Sequence, residues 1–144
     1  MSETQQTLDV MRAVFAGFHA HDLAAVRGLL ADDVAMPDPN TGAALHGPDA
    51  LIAAVSVMLD AFPDLHVSVT NAFADGERGV VEVMRTGTHT GPLRLPSGEV
   101  PATGRKLHLG EAVVFVVRGG KVVSFTPYTD QLAGMMQLEL LGGG

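Results

Sequence analysis

The spacing of hydrophobic residues changes at Pro63, and this change restricts the fold more than any other feature of the sequence. Upstream, apolar residues recur at steps of three and four, which predicts three amphipathic helices: one over about residues 4–19, a second after Asp22 and a third after Gly47. Downstream, apolar and polar residues alternate from Leu65 onward, which predicts β-strands. Helices and strands that are segregated along a chain are typical of the α+β class.

Turn-forming residues divide the alternating half into an antiparallel meander that ends in a short helix after Asp130. We predict strands beginning at Leu65 and spanning 80–89, 105–117 and 122–128, turns at 75–78 and 118–121, and a long loop at 91–104. The second helix is expected to carry Leu23, Val26, Leu29 and Leu30. Residues 37–42 predict a further turn, and 141–144 a frayed tail. We find no linker or repeat, so residues 1–144 are expected to form a single domain.

The composition excludes several classes of function. The chain has no cysteine, which rules out thiol nucleophiles and thiolate metal sites. Its net charge is -7 and it has no basic cluster, so we expect neither nucleic acid nor an anionic membrane as a partner. The polar start and the lack of long apolar runs predict no signal peptide, no membrane span and a cytoplasmic location. With 47% hydrophobic residues, the chain is expected to line a cavity or to form an interface.

Five segments of the chain have a characteristic sequence: Phe62-Pro63-Asp64-Leu65, Gly87-Thr88-His89-Thr90-Gly91-Pro92-Leu93, Pro101-Ala102-Thr103-Gly104-Arg105, Phe115 to Lys121 and Asp130 to Leu138. Together they resemble the SnoaL-like polyketide cyclases, over about residues 8–140. The resemblance implies a cone-shaped fold like that of nuclear transport factor 2, in which helices and a curved antiparallel sheet enclose a deep pocket. We further expect a small apolar or polyketide-like molecule as partner, no cofactor, and, from the family and the apolar content, a homodimer or higher homo-oligomer.

The family's known chemistry is an aldol closure in which a carboxylate removes a proton beside a carbonyl, helped by a histidine and an asparagine. In our alignment these positions hold apolar residues: Met36 for the asparagine, Val113 for the histidine and Pro127 for the carboxylate. None of the three can transfer a proton. The usual acid/base is therefore absent, and the pocket is predicted to be more apolar than in the family at large.

Glu111 is the main candidate for a relocated acid/base. Alternation places Leu107, Leu109, Glu111, Val113, Phe115 and Val117 on one face of a strand, and that face is expected to point inward. A lone carboxyl group on an apolar wall is suited to proton transfer because desolvation disfavours its charged form. The alternative is that Glu111 pairs with an arginine or lies at an interface.

Three further residues are candidates, and two of them have a structural alternative. His89, flanked by Gly87 and Gly91, could shuttle a proton or instead bind the long loop. Tyr128 could donate a hydrogen bond to an oxyanion. Asp130 could assist it or simply cap the last helix.

No metal is expected, because the six histidines lack metal-ligand spacing. The remaining pocket wall is expected to be apolar. The predicted substrate-binding residues are Phe18, Met36, Met58, Val113, Phe115, Phe125 and Pro127.

These features support two main hypotheses. One is an enzyme that cyclises or isomerises a carbonyl compound by proton transfer, and the other is a protein that binds a small apolar ligand without converting it. A structural subunit is a weaker third alternative. Epoxide opening ranks low, because the spacing pairs neither Arg85 nor Arg105 with an acid.

Overall fold

A computed structural model of the chain describes residues 2–37, 43–95 and 97–140. The turn predicted over 37–42 falls almost wholly outside these residues, as does the tail at 141–144. Among the described residues, no helix is long and apolar enough to cross a membrane.

Four helices form where the sequence predicts them. They are α1 (Glu3–His19), α2 (Leu23–Arg27), α3 (Pro48–Ala61) and α4 (Gln131–Gln137). Pro48 opens α3, and the side chain of Asp22 caps α2 by accepting a hydrogen bond from Ala25 N at 3.1 Å. The predicted extent of the second helix is wrong at its end. Leu29 O accepts from Val122 N and Leu30 begins a strand, so tertiary pairing takes these two residues out of the helix.

The strands are β1 (Leu30–Pro37), β2 (Ala44–His46), β3 (His66–Asp75), β4 (Arg78–Thr88), β5 (Leu93–Leu95), β6 (Gly98–Val100), β7 (Lys106–Arg118) and β8 (Lys121–Thr129). Six of them form one sheet in the order β2-β1-β8-β7-β4-β3. The predicted meander β3-β4-β7-β8 is antiparallel, but β1 joins β8 in parallel. The long loop is not wholly irregular, because β5 and β6 form a small hairpin within it.

The inner face of β7 is the one that alternation predicts. Leu107, Leu109, Val113, Phe115 and Val117 are buried on this face, while their neighbours on the other face are more exposed. Helix α1 packs over the sheet through an aromatic cluster of Phe15, Phe18, Phe115 and Phe125. Ring centroids lie 5.9 Å apart for Phe15 and Phe115, and 5.2 Å apart for Phe115 and Phe125. This cluster fills one end of the space between helices and sheet.

The other end is bounded by α3 and the β5–β6 hairpin. Gly91 N donates to Ala61 O at 3.1 Å, which holds the start of the loop against the last turn of α3. A Cβ atom at Gly91 would lie 1.9 Å from Asp60 O, so only glycine allows this approach. The loop is closed by two backbone bonds at its base, from His89 N to Arg105 O and from Gly104 N to His89 O, both 2.8 Å.

Candidate functional site

A cavity of about 750 Å³ lies between the concave sheet, α1, α3, α4 and the β5–β6 hairpin. This volume is within the usual range of small-molecule sites, and the wall is mainly apolar. Val55, Met58 and Leu59 of α3 line it, and they are only half-buried because the cavity is partly open to solvent. The polar side chains on the wall are those of Arg85, Arg94, Glu111, Thr129 and Gln131.

Arg85, Glu111 and Thr129 form one polar cluster on the cavity wall. Arg85 Nη2 lies 3.0 Å from Glu111 Oε2, and the hydroxyl group of Thr129 donates a hydrogen bond to the same oxygen. The side chains of Arg85 and Glu111 are only 15% and 9% exposed. An ion pair this well shielded from solvent is costly to form, so it is held together by geometry that the sheet imposes.

Strand register brings these three residues together. Glu111 of β7 is directly opposite Thr129 of β8, and Arg85 of β4 is opposite Leu109, two residues before Glu111. All three therefore project from the inner face, where side chains diagonally apart on neighbouring strands can touch. Of the two candidate interpretations of Glu111, the arginine pairing is the one that the structure shows, and the residue also lines the cavity.

The cluster leaves hydrogen-bonding capacity unused. Both contacts to Glu111 go to Oε2, and Oε1 has no partner among the described residues. Arg85 Nη1 likewise makes no hydrogen bond to a described residue. Among the described residues, the buried side-chain nitrogen and oxygen atoms without a hydrogen-bond partner are Arg85 Nε and His89 Nε2. Glu111 Oε1 and Arg85 Nη1 also lack a partner but are not among these buried atoms, so both are accessible. The site thus offers an N–H donor and a carboxylate acceptor side by side.

Five of the seven predicted substrate-binding residues lie on the cavity wall: Phe18, Met36, Met58, Phe125 and Pro127. Met36 and Pro127 occupy two of the positions where the family resemblance implies polar groups. Because these side chains are apolar, Glu111 is the only carboxylate among the described residues of the cavity wall.

The prediction that Val113 and Phe115 line the cavity is wrong. Both are fully buried at 0% exposure, and neither lines the cavity. They share the inner face with Glu111 but lie further along β7, where the rings of Phe15 and Phe125 cover Phe115. Sharing a face was therefore not sufficient to reach the cavity.

His89 is fully buried behind the wall, with its ring 5.4 Å from that of Phe62. Its Nδ1 accepts from Thr103 N at 3.3 Å and lies 3.0 Å from Thr103 Oγ1, which assigns the proton of the neutral ring to Nε2. Burial lowers the pKa of His89, and the Gly91 backbone opposes this shift. These contacts match the loop-binding alternative, and His89 does not line the cavity.

Tyr128 and Asp130 lie away from the cavity. Tyr128 is 64% exposed, because its neighbours Pro127 and Thr129 take the inner face of β8 and alternation turns Tyr128 outward. Asp130 caps α4 by accepting from Ala133 N at 2.9 Å. Neither residue is retained in the candidate site.

The comparisons with known proteins agree with this architecture. A sequence profile of the SnoaL-like polyketide cyclases matches residues 8–138. The chain belongs to this family. A search of curated proteins found no match.

Several solved structures share the fold over almost the whole chain. A candidate polyketide cyclase from Xanthomonas campestris is 26% identical, with a TM-score of 0.82 over 95% of this chain and 99% of that one. IdmH from Streptomyces antibioticus, a candidate polyketide cyclase, is 22% identical, with a TM-score of 0.78 over 93% and 99%. An LEH-like epoxide hydrolase from M. tuberculosis is 17% identical, with a TM-score of 0.70 over 96% and 92%. The predicted α+β fold with a curved sheet is confirmed.

Two members of the cluster, Arg85 and Thr129, are not predicted as site residues from the sequence of this SnoaL-like chain, because local spacing does not pair Arg85 with an acid. The signal that could have found them is the same alternation that singled out Glu111. Val81, Val83 and Arg85 share the inner face of β4, and Phe125, Pro127 and Thr129 share that of β8.

No group of three or more histidine, aspartate or glutamate side chains within the described part of the chain could hold a metal ion.

Proposed function

We propose that this SnoaL-like protein catalyses a proton-transfer reaction, a cyclisation or an isomerisation, on a polyketide-like carbonyl compound, with Glu111 as the general base. One observation carries the proposal: a carboxylate on an apolar cavity wall has one oxygen held by Arg85 and Thr129 and the other without a described partner. A base fixed in this way can accept a proton without reorienting.

Glu111 takes up one proton in such a reaction and returns it, so no proton is gained or lost overall. Glu111 Oε1 takes a proton from the carbon next to a substrate carbonyl, and the electron pair moves into an enolate. In a cyclisation the enolate carbon attacks a second carbonyl, forms the C–C bond, and the resulting alkoxide regains the proton from Glu111. In an isomerisation the proton returns to a different carbon. Neither sequence requires an external oxidant, reductant or cofactor.

The test uses β-tetralone, a bicyclic ketone with activated α-protons, as a probe of the first step. Incubated in heavy water with the wild-type protein, it should exchange these protons above the uncatalysed rate, as followed by proton NMR. Glu111→Gln keeps the size of the side chain but cannot accept the proton, so the catalysed rate should fall by about 100-fold or more.

Glu82→Gln is the matched control, because Glu82 lies on β4 but is exposed on the outer face, where it accepts a hydrogen bond from Asn71 at 2.9 Å. It should exchange at the wild-type rate. Equal rates for Glu111→Gln and the wild type would overturn the role proposed for Glu111.

A second candidate function is ligand binding without conversion, and one observation favours it: Met36 and Pro127 place apolar side chains on the wall where the family resemblance implies polar ones. In that case β-tetralone would bind in the cavity but would exchange its protons no faster than in the absence of the protein. Catalysed exchange that depends on Glu111 would exclude this alternative.

A further inference from the structure

We infer that Arg85 binds the carbonyl oxygen of the substrate and becomes the counter-ion of its enolate, so that the cavity selects compounds whose acidic carbon is next to a carbonyl group. The inference rests on the proposed proton transfer to Glu111 and identifies the group that receives the negative charge. It also gives the Arg85–Glu111 pair a function beyond the compensation of each other's charge.

The two side chains provide a donor for the carbonyl oxygen and an acceptor for the α-proton. Arg85 Nη2 and Glu111 Oε2 are in contact at 3.0 Å, and Nη1 and Oε1 are the other terminal atoms of the same two groups, without a described partner and not fully buried. A carbonyl oxygen accepts hydrogen bonds, and its α-carbon carries the acidic proton one bond further along. A substrate that places its oxygen at Nη1 therefore brings its α-proton toward Oε1.

Charge conservation supports the same assignment. An arginine side chain keeps its proton throughout the pH range of proteins, so Arg85 remains a cation during the reaction. Before proton transfer its counter-ion is Glu111. After the transfer Glu111 is neutral and the substrate oxygen carries the negative charge. The cation thus exchanges one partner for the other, and no step leaves an unpaired charge in the cavity.

Among the described residues, Glu111 is the only acid that forms an ion pair with Arg85. The neighbours of Arg85 along the register are Val67 on β3 and Leu109 on β7, which are both buried and apolar. When Glu111 takes up a proton, these neighbours cannot replace it as a counter-ion. An anionic ligand oxygen is what the remaining charge attracts most strongly.

The test uses β-naphthol, whose ring and oxygen match the enol of β-tetralone, together with naphthalene, which lacks the oxygen. Wild-type protein should bind β-naphthol more tightly than naphthalene, and Arg85→Gln should reduce this difference. Glu111→Gln leaves Arg85 without its counter-ion and should bind the naphtholate anion about tenfold more tightly or better, since a hydrogen bond to a charged group is among the strongest. The naphtholate absorption band should then appear at lower pH than with wild-type protein.

Arg105→Gln is the matched control. Arg105 is half-exposed, pairs with Glu139 at 2.7 Å and does not line the cavity, so its removal should leave β-naphthol binding unchanged. Arg85→Lys keeps the positive charge and covers the case in which Arg85→Gln does not fold; it should retain part of the preference for β-naphthol.

The two proposals fail in different ways. If Glu111→Gln abolishes proton exchange but does not strengthen naphtholate binding, Glu111 is the base and the inference about Arg85 is wrong. If naphtholate binding responds as expected but exchange is unaffected in Glu111→Gln, Arg85 binds oxyanions and the proposed catalytic function is wrong.

Discussion

Glu111 and Arg85 meet at 3.0 Å from neighbouring strands, on the wall of a cavity that is otherwise mainly apolar. Two residues that are far apart in the sequence thus form an ion pair that is shielded from solvent. This relationship leads to the first of four predictions.

Removing one member of the pair should destabilise the fold more than removing both. Arg85→Met leaves the Glu111 carboxylate without its counter-ion and should reduce the free energy of unfolding by about 3 kcal/mol, near the low end for broken buried pairs because the cavity admits water. The double variant Arg85→Met, Glu111→Leu should recover most of this loss. Urea unfolding measures both.

The exposed pair of Arg27 and Asp49 provides the control, with side chains that are 53% and 87% exposed. Arg27→Met should change stability by less than about 1 kcal/mol. Strictly additive losses in the double variant of the cavity pair would contradict the coupling that we describe.

Gly91 should not tolerate a side chain. An alanine Cβ there would overlap Asp60 O of α3 at 1.9 Å, so either the helix or the β5–β6 hairpin must move. We expect Gly91→Ala to lower the free energy of unfolding by about 3 kcal/mol or more. In Gly110→Ala the nearest heavy atom is Met84 Cε at 3.9 Å, and this variant should be tolerated. Similar melting temperatures for the two variants would argue against the close approach of loop and helix.

Stability should fall as the pH decreases below about 6.5, the ordinary value for histidine, because the folded state lowers the pKa of His89. The unfolded chain then binds a proton that the folded chain resists, so each pH unit removes up to about 1.4 kcal/mol until the folded His89 itself titrates. Asp64, whose pKa is lowered by a bond from the Thr88 backbone, titrates below its ordinary value of 3.8, outside this range.

His89→Asn keeps an acceptor near the place of Nδ1 but does not titrate, so the slope between about pH 5 and 7 should become shallower. His108→Gln, at an exposed position, should keep the wild-type slope. Urea unfolding at several pH values distinguishes them, and an unchanged slope in His89→Asn would assign the pH dependence to another group.

The cap of α4 should affect ligand binding as well as stability. Asp130→Ala removes the acceptor for Ala133 N and should cost about 1 kcal/mol, whereas Asp130→Asn should retain most of the cap. Because Met135 and Leu138 line the cavity, Asp130→Ala should also weaken β-naphthol binding in a titration. Asp22→Ala removes the equivalent cap of α2 and should leave binding unchanged. Equal effects of the two variants on binding would show that α4 does not shape the cavity.

Local patterns in the sequence were sufficient to predict most of the helices, their caps and the strands of the meander. Residues in one helix face or one strand face are set by the backbone period, and caps depend on side chains within a single turn. The same reasoning identified the inner face of β7 with Glu111 on it, and the family motifs predicted the fold that the comparisons confirm. Where local and tertiary preferences competed, as at Leu30, the strand pairing prevailed.

The sequence by itself thus determined which faces point inward, whereas the tertiary structure decided what each inward residue meets. Val113 and Phe115 share a face with Glu111, yet the rings of α1 and β8 bury Phe115 while Glu111 reaches the cavity. Arg85 and Thr129 became partners of Glu111 only through the register of three strands. Register depends on contacts between segments that are distant in the chain, and a one-residue shift would move a whole set of side chains to the opposite face. For this reason the pairing at the centre of the candidate site could not be derived from local spacing.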